Sequence, residues 1–434
     1  MRKLLLSMAA LPLVVGGLSV SASADGINIL DNMKLKGEIR PRYENADDGI
    51  AGHSNADAYT VRTKLAVTAD LLGVDGLSAT VGVISVNNFG SHTYNPGDGH
   101  DYRDGDKPYA KVVDPQKSII SNAEINYTFD KTTLHAGRGQ VNLDNQRFIG
   151  TVGWRQLERS YDSVFVANNS IKNLSVLAAW VYGFQGVNAN ETVDTNTVLL
   201  NAAYTVMPEL KVTAYDYMIA GTHDTYGLAL TGKVNAGMAK LSYRAEYALQ
   251  KDATMDIHDQ NDKAVSGSTL GRKYGQADAS YYNLDLGANV NGILAGVNYE
   301  FLSGDGDGTG DDTEFTTPLA TGHKFNGWAD VFLTTPTGGL KDFNVRLGYT
   351  AKGLGKLLAV YHDFTADEDM SDGHGGTTDD LGSEFDIVYT NKIPGVNNLT
   401  GIVKYADYSN GDAADYTNDV KKVWVGLDYK FAMK

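Results

Sequence analysis

The chain has 434 residues, 53 acidic against 37 basic, for a formal net charge of −16 and no cysteine. An acidic surface of that kind repels phosphates, so nucleic acid is not expected as a partner. The lack of cysteine excludes a disulfide scaffold. Gly is high at 48, Pro low at 9, and Tyr reaches 25, and the aromatic and β-branched residues recur in short runs suited to strands.

Residues 1–24 read as an export signal. Arg2 and Lys3 form a positive start, Leu4 to Val20 an apolar stretch, and Ala22-Ser23-Ala24 a small-residue cleavage site. The mature chain, 25–434, is expected to be one domain. No later segment has the ~18 continuous apolar residues of a membrane helix. A barrel could still cross a membrane, because its strands need only ~9–11 residues each.

Alternation starts at once. In 33–43, Met33, Leu35, Gly37, Ile39 and Tyr43 share one face, and Lys34, Lys36, Glu38, Arg40 and Arg42 the other. In 58–70, Tyr59, Val61, Leu65 and Val67 oppose Arg62 and Lys64. The same period recurs at 122–129, at 240–250 (where Arg244 is on the polar face) and at 421–431. Period two with one apolar and one polar face means a sheet with unlike environments on its two sides. Short connections (128–132, 207–210, 289–293) alternate with long ones (90–117, 251–276, 303–324), and Tyr and Phe gather near strand ends. Both features point to an all-β, transmembrane antiparallel barrel with short periplasmic turns and long outer loops. Nineteen segments can be marked, among them 325–335. Both termini on one side require an even number, and the conflict falls between about 290 and 340. Eighteen strands are therefore expected, with sixteen next.

Between two alternating segments lies the irregular, polar stretch DNQRFIGTVGWRQLERSYDS at 144–163, preceded by GRGQ at 137–140. Further on come FTTPLATGHKFNGWADVF at 315–332, GGLKDFNV at 338–345 and YHDF at 361–364. In order and spacing these blocks resemble the bacterial alginate-export family of outer-membrane barrels. That resemblance implies an eighteen-stranded single-barrel channel, in one named member an exporter of an anionic polysaccharide. The family is broad, and many similar chains look like general porins, so the fold transfers better than the substrate.

Irregular backbone at membrane depth is tolerated only where it lines a cavity. A loop folded into the lumen, with Trp154 packing it to the wall, fits 141–159. Arg138, Arg147, Arg155 and Arg159 are then candidates for a constriction that selects anions, since the guanidinium fork binds carboxylates bidentately. The structural alternative pairs them with Asp144, Glu158 and Asp162 to shape the loop. Lys34, Lys36, Arg40, Arg42, Arg62, Lys64, Arg244 and Arg346 are further lumen candidates, facing acids such as Glu124, Glu246, Asp285, Glu300, Glu384, Asp386 and Asp428. Opposite charges across a pore set a transverse field that orients polar solutes. Many remaining acids, including Glu44, Asp47, Asp48, Asp57, Asp367, Glu368, Asp369 and Asp372, are expected in solvated loops.

No cofactor is implied. SGDGDGTGDDTEF at 303–315 places Asp305, Asp307 and Asp311 in a Gly-rich turn, a candidate for calcium in an outer loop, although EF-hand spacing is absent. His362-Asp363 lacks a serine with a supporting motif, so an enzyme is not expected. The reading is a passive outer-membrane channel of a Gram-negative bacterium for small hydrophilic, anionic solutes. Its alternatives are a dedicated exporter of an anionic polysaccharide such as alginate, an outer-membrane enzyme and a non-conducting barrel. Membrane lipid, the solute and the outer-membrane assembly machinery are the expected partners, and a monomer is favoured over a trimer.

Overall fold

The computed structural model describes residues 29–189, 192–255, 278–305 and 314–433. The export-signal stretch 1–24 lies outside them, as do Asp307 and Asp311. Eighteen antiparallel strands form one closed sheet. In chain order they are β1 (Leu30–Asp47), β2 (Ala56–Leu71), β3 (Leu77–Asn87), β4 (Ser118–Phe129), β5 (Thr132–Gly139) and β6 (Ser160–Asn168). β7 (Leu174–Gln185), β8 (Val193–Met207), β9 (Leu210–Ile219), β10 (His223–Ala236), β11 (Ala239–Lys251) and β12 (Asp278–Val290) follow. The wall is completed by β13 (Ile293–Leu302), β14 (Leu340–Ala351), β15 (Gly355–Ser371), β16 (Thr377–Lys392), β17 (Leu399–Ser409) and β18 (Val420–Met433). Each strand pairs with its sequence neighbours.

β1 closes the ring on β18. At this seam Gly37 lies opposite Phe431. The Phe431 ring covers the bare glycine so closely that a Cβ there would sit 2.2 Å from a ring carbon.

Tight turns gather at one end of the barrel, and the long connections lie at the other, among shorter ones such as 220–222 and 372–376. β12 and β13 are joined by Asn291-Gly292, both with positive φ, the residue pair that a two-residue hairpin favours. At the opposite end of the barrel, 140–159 and 303–339 are among the long connections.

The wall has an apolar outside. Val81, Leu286 and Leu347 are 60–64% exposed, in company with Ile125, Val164, Leu228, Leu284, Val345, Val403 and Leu427. Tyr204, Tyr349, Phe385 and Tyr389 add exposed aromatics to that surface. An apolar band of this extent is a lipid-facing belt, not a water-facing one.

Segment 325–335 is the surplus one: it is not a strand. Asn326, Gly327 and Asp330 all have positive φ, which an extended strand cannot accommodate. The Asn-Gly pair was a turn signal that the alternation masked. A second correction concerns the acids. Glu44, Asp47, Asp57, Asp367, Glu368 and Asp369 lie in strands, not loops, because β1, β2 and β15 extend past the point where the apolar alternation fades. Glu44 is buried in the lumen.

Candidate pore constriction

Two of the long connections fold inward: 140–159 is the first inward loop, and 314–339 is the second. They join each other directly. Gly150 N donates to Leu319 O (2.9 Å) and Thr321 N donates to Gln146 O (3.1 Å). Thr321 Oγ1 accepts from Val152 N (3.1 Å). Together they touch the wall on several sides, so they cross the lumen.

One flank is aromatic. Phe148 meets Tyr215 (ring centroids 5.3 Å), Tyr281 (5.4 Å) and Phe315 (6.0 Å). Ile149, Tyr161, Leu199 and Leu302 are fully buried around it.

The other flank is charged. Arg40 donates to Gln156 Oε1 (3.0 Å), to Gly153 O (2.9 Å) and to Arg155 O. Arg42 donates to Trp154 O (2.6 Å) and pairs with Asp114 of the β3–β4 connection. Arg62 pairs with Glu38 (2.8 Å) and Glu158 (2.7 Å), and Lys64 with Glu158 (2.7 Å). Thus the basic stripe on β1 and β2 holds the first loop by its carbonyls and by Glu158. Burial alone would raise the Glu158 pKa, but Arg62 and Lys64 outweigh it and hold the carboxyl below its ordinary value.

Arg155 is the hinge pin of this flank. It bridges Glu44 on β1 (3.1 Å) and Asp330 in the second loop (2.8 Å). Lys422 on β18 also reaches Asp330 (3.3 Å). Asp330 accepts from His323 Nδ1 (2.6 Å). Burial, partly opposed by Asp330, drives the His323 pKa down to about 3, so the ring is neutral. Its other nitrogen, Nε2, then accepts from Lys404 Nζ (2.7 Å).

Towards the far wall, Arg147 pairs with Glu300 (2.8 Å) and donates to Asn326 Oδ1 (2.9 Å). Glu384 on β16 accepts from the backbone N–H groups of Trp328 and of Ala329 (2.7 Å for the latter). Arg244 pairs with Asp144 (2.5 Å) and Glu246 (2.7 Å), and Arg346 with Asp285 (2.6 Å). His362 meets Asp342 (2.8 Å) and not its sequence neighbour Asp363, which is exposed on the other face.

Twelve cations were candidates, and they fall into distinct groups. Arg40, Arg42, Arg62, Lys64, Arg147, Arg155 and Arg244 bind the inward loops to the wall, while Arg346 sits in a wall ion pair. Lys34 and Lys36 are exposed near the short-turn end and make no ion pair among the described residues. Arg138 differs. It lies in the same alternating set as Leu134 and Ala136 and opposite Asp162, in register with outward-facing Val164 and Val166. It pairs with Asp162 (2.6 Å) on the outside of the wall near the long-loop end, not in the lumen. Plain alternation puts it there, and its neighbours in GRGQ obscured that.

Arg159 contrasts with Arg155. It donates to the carbonyls of Pro318 (3.2 Å) and Gly150 (3.4 Å), stands over Phe184 (5.7 Å), and has no carboxylate partner among the described residues. Lys324 is similar, donating to Asn145 O (2.8 Å). Residues missed from sequence include Glu44, Asp330, His323, Lys404 and Lys422. The GHKFNGWAD run in the second loop was a signal for His323 and Asp330, and the other three read as ordinary polar residues of their strands.

The loops leave space on both sides. A cavity of about 580 Å³ at the long-loop end is lined by Arg155, Arg159, His323, Glu314, Asp330 and several threonines. At the short-turn end a cavity of about 830 Å³ is lined by Lys36, Lys64 and Lys430 together with Glu38, Glu124, Asn122 and Gln140. A third, of about 370 Å³, is lined by both signs, Arg244, Arg346 and Lys324 with Asp285, Glu300 and Asp342. Among the described residues no group could hold a metal ion, and of the calcium candidates only Asp305 is described.

No family model matches the chain, and no curated protein matches it, so the alginate-export resemblance gains no support there. Solved structures do match. The crystal structure of Pseudomonas aeruginosa OccK8 (OprE) superposes with a TM-score of 0.68 at 16% identity, over 94% of this chain and 100% of that one. Acinetobacter baumannii OccAB4 gives 0.67 at 14%, over 93% and 99%. Pseudomonas aeruginosa OpdK with vanillate gives 0.67 at 10%, over 94% and 100%. The chain thus has, over nearly its whole length, the closed barrel fold of these proteins.

Proposed function

We propose that the protein is an outer-membrane channel of a Gram-negative bacterium, through which small hydrophilic, anionic solutes diffuse. The observation that carries this is the lumen itself: a lipid-facing belt encloses a polar interior that two loops narrow, with cavities on either side of them. Each barrel encloses its own lumen, so one chain suffices for transport. The anionic preference rests on Arg159 and Lys324, cations at the loops without a carboxylate partner among the described residues, and on Lys34 and Lys36 near the short-turn end. OpdK, similar in fold, was crystallised with vanillate, a small carboxylate, which is in keeping with this class of solute.

A polysaccharide exporter is the weaker reading. Cavities of about 370 and 580 Å³ beside the loops have the size of small-molecule sites. A polymer would have to displace both loops. The test is reversal potential in a planar bilayer under a KCl gradient. Wild type is expected to prefer anions, and Arg159→Ala and Lys324→Ala each to move the ratio toward unity. Cation preference untouched by both substitutions would refute the anionic reading. Absence of conductance would refute the channel.

A further inference from the structure

Lys404 on β17 is a buried lysine, 5% exposed. Its ammonium has no carboxylate within ion-pair distance among the described residues. Three indole rings surround it instead. Nζ stands 3.8 Å from the Trp328 ring centroid, 4.4 Å from Trp154 and 5.2 Å from Trp424. The chain has four tryptophans, so all but Trp180 are at this one ammonium.

The rings come from different parts of the fold. Trp154 belongs to the first inward loop, Trp328 to the second, and Trp424 to the wall at β18. Trp154 also stacks on His323 (4.7 Å, 7° between planes) and meets Trp424 edge-on (5.7 Å). His323 accepts the Lys404 proton donor at 2.7 Å. A cation over indole faces is attracted by the ring quadrupole, most strongly when water is excluded. A neutral side chain of the same length would keep the packing and lose that attraction.

We propose that the Lys404 ammonium is the positioning residue of the constriction: its charge holds the tryptophans of both loops against the wall and thereby fixes the aperture. It touches no solute in this role. The inference concerns how the loops are held, so it can be tested whether or not the channel reading is right.

The first readout is hydrogen–deuterium exchange of the full chain in detergent, followed on peptides spanning Gly150 and Thr321. Their amides make the inter-loop hydrogen bonds. Lys404→Met keeps length and apolar bulk, and it is expected to raise exchange in both loop peptides at least about tenfold, as loss of a local opening barrier does, while β9–β13 stay protected. Lys404→Arg retains a charge that stacks on aromatic rings and is expected to stay closer to wild type. Trp328→Leu should reproduce the Lys404→Met effect, and the double variant should add little to either.

The second readout is single-channel current. Lys404→Met is expected to conduct more, with added noise, and Lys404→Arg less so. Wild-type exchange in Lys404→Met would overturn the proposal, leaving the lysine as filler. Loss of protection throughout the barrel in Lys404→Met would also overturn it, since the residue would then support the wall and not the loops. A wild type that does not conduct but shows the exchange pattern would refute only the channel reading.

Discussion

The two flanks of the inserted loops are held by different physics. On the aromatic flank, Phe148 and Ile149 are packed among Tyr215, Tyr281 and Phe315; these ring contacts carry no charge themselves, while the two tyrosine hydroxyls donate to Glu246 and Glu300 (2.8 Å each) behind them. On the charged flank, Arg40, Arg42, Arg62 and Lys64 grip carbonyls and Glu158, and Arg155 links Glu44 to Asp330. Apolar packing is indifferent to pH and tolerant of detail, while buried ion pairs depend on every partner being present. One flank is therefore an anchor, and the other is the place where the aperture can be altered.

Removing the link on the charged flank should have the largest effect. Arg155→Ala leaves Glu44 and Asp330 buried with a partner missing, a loss of about 3–5 kcal/mol. Urea titration followed by exchange of the 140–159 amides should show that segment opening before the wall. If it opens with the wall, as in wild type, Arg155 is not the link.

Acid should act on the same flank and spare the other. The His323 pKa is lowered in the folded state to about 3, against an unfolded value near 6.5. Below 6.5 the unfolded form binds the proton that the folded form refuses. Docking stability from this group is thus whole above 6.5 and is lost progressively as pH falls toward 3. Between 6.5 and 5 the loss is about 2 kcal/mol. Glu158 and Asp330 have depressed values and add to it below the ordinary carboxylate range. Conductance and loop opening, read as exchange divided by the intrinsic amide rate at each pH, should therefore rise in wild type from pH 7 to 5, and His323→Gln should flatten both curves. An equally steep rise in His323→Gln would assign the effect elsewhere.

The smallest change belongs to the aromatic flank. Ile149→Val, at a fully buried position, should cost about 0.5–1.5 kcal/mol and by the same amount at pH 7 and pH 5. A pH-dependent cost would mean that the two flanks are coupled and the distinction between them fails.

Much of the wall was legible in the sequence, because each strand carries its own period-two record and the short turns their own signals. The β14 stretch LKDFNVRLGYTA shows Phe343, Val345 and Leu347 outward and Asp342, Asn344 and Arg346 inward without reference to any other segment. The irregularity of 144–159 also showed that something other than a strand lay there. Its partners were not legible. Arg155 meets Glu44 and Asp330, 111 and 175 positions away, and no local pattern encodes such a meeting. Lys404 reads as an ordinary polar-face residue of β17 until three tryptophans from distant segments come together around it. The wrong strand at 325–335 has the same origin: the segment is shaped by the lumen it fills, not by a neighbour along a sheet.

The seam between β1 and β18 has a consequence for how the molecule is made. The first strand must wait, its edge open, until the last one has been delivered. Gly37 supplies a slot and the Phe431 ring fills it. A slip of two residues would take the ring off its glycine and set it opposite Leu35 or Ile39. The fit therefore works as a key that accepts one alignment of the two ends. A Gly37→Val chain would have to push the Phe431 ring aside, and the seam would lose that mark of its register.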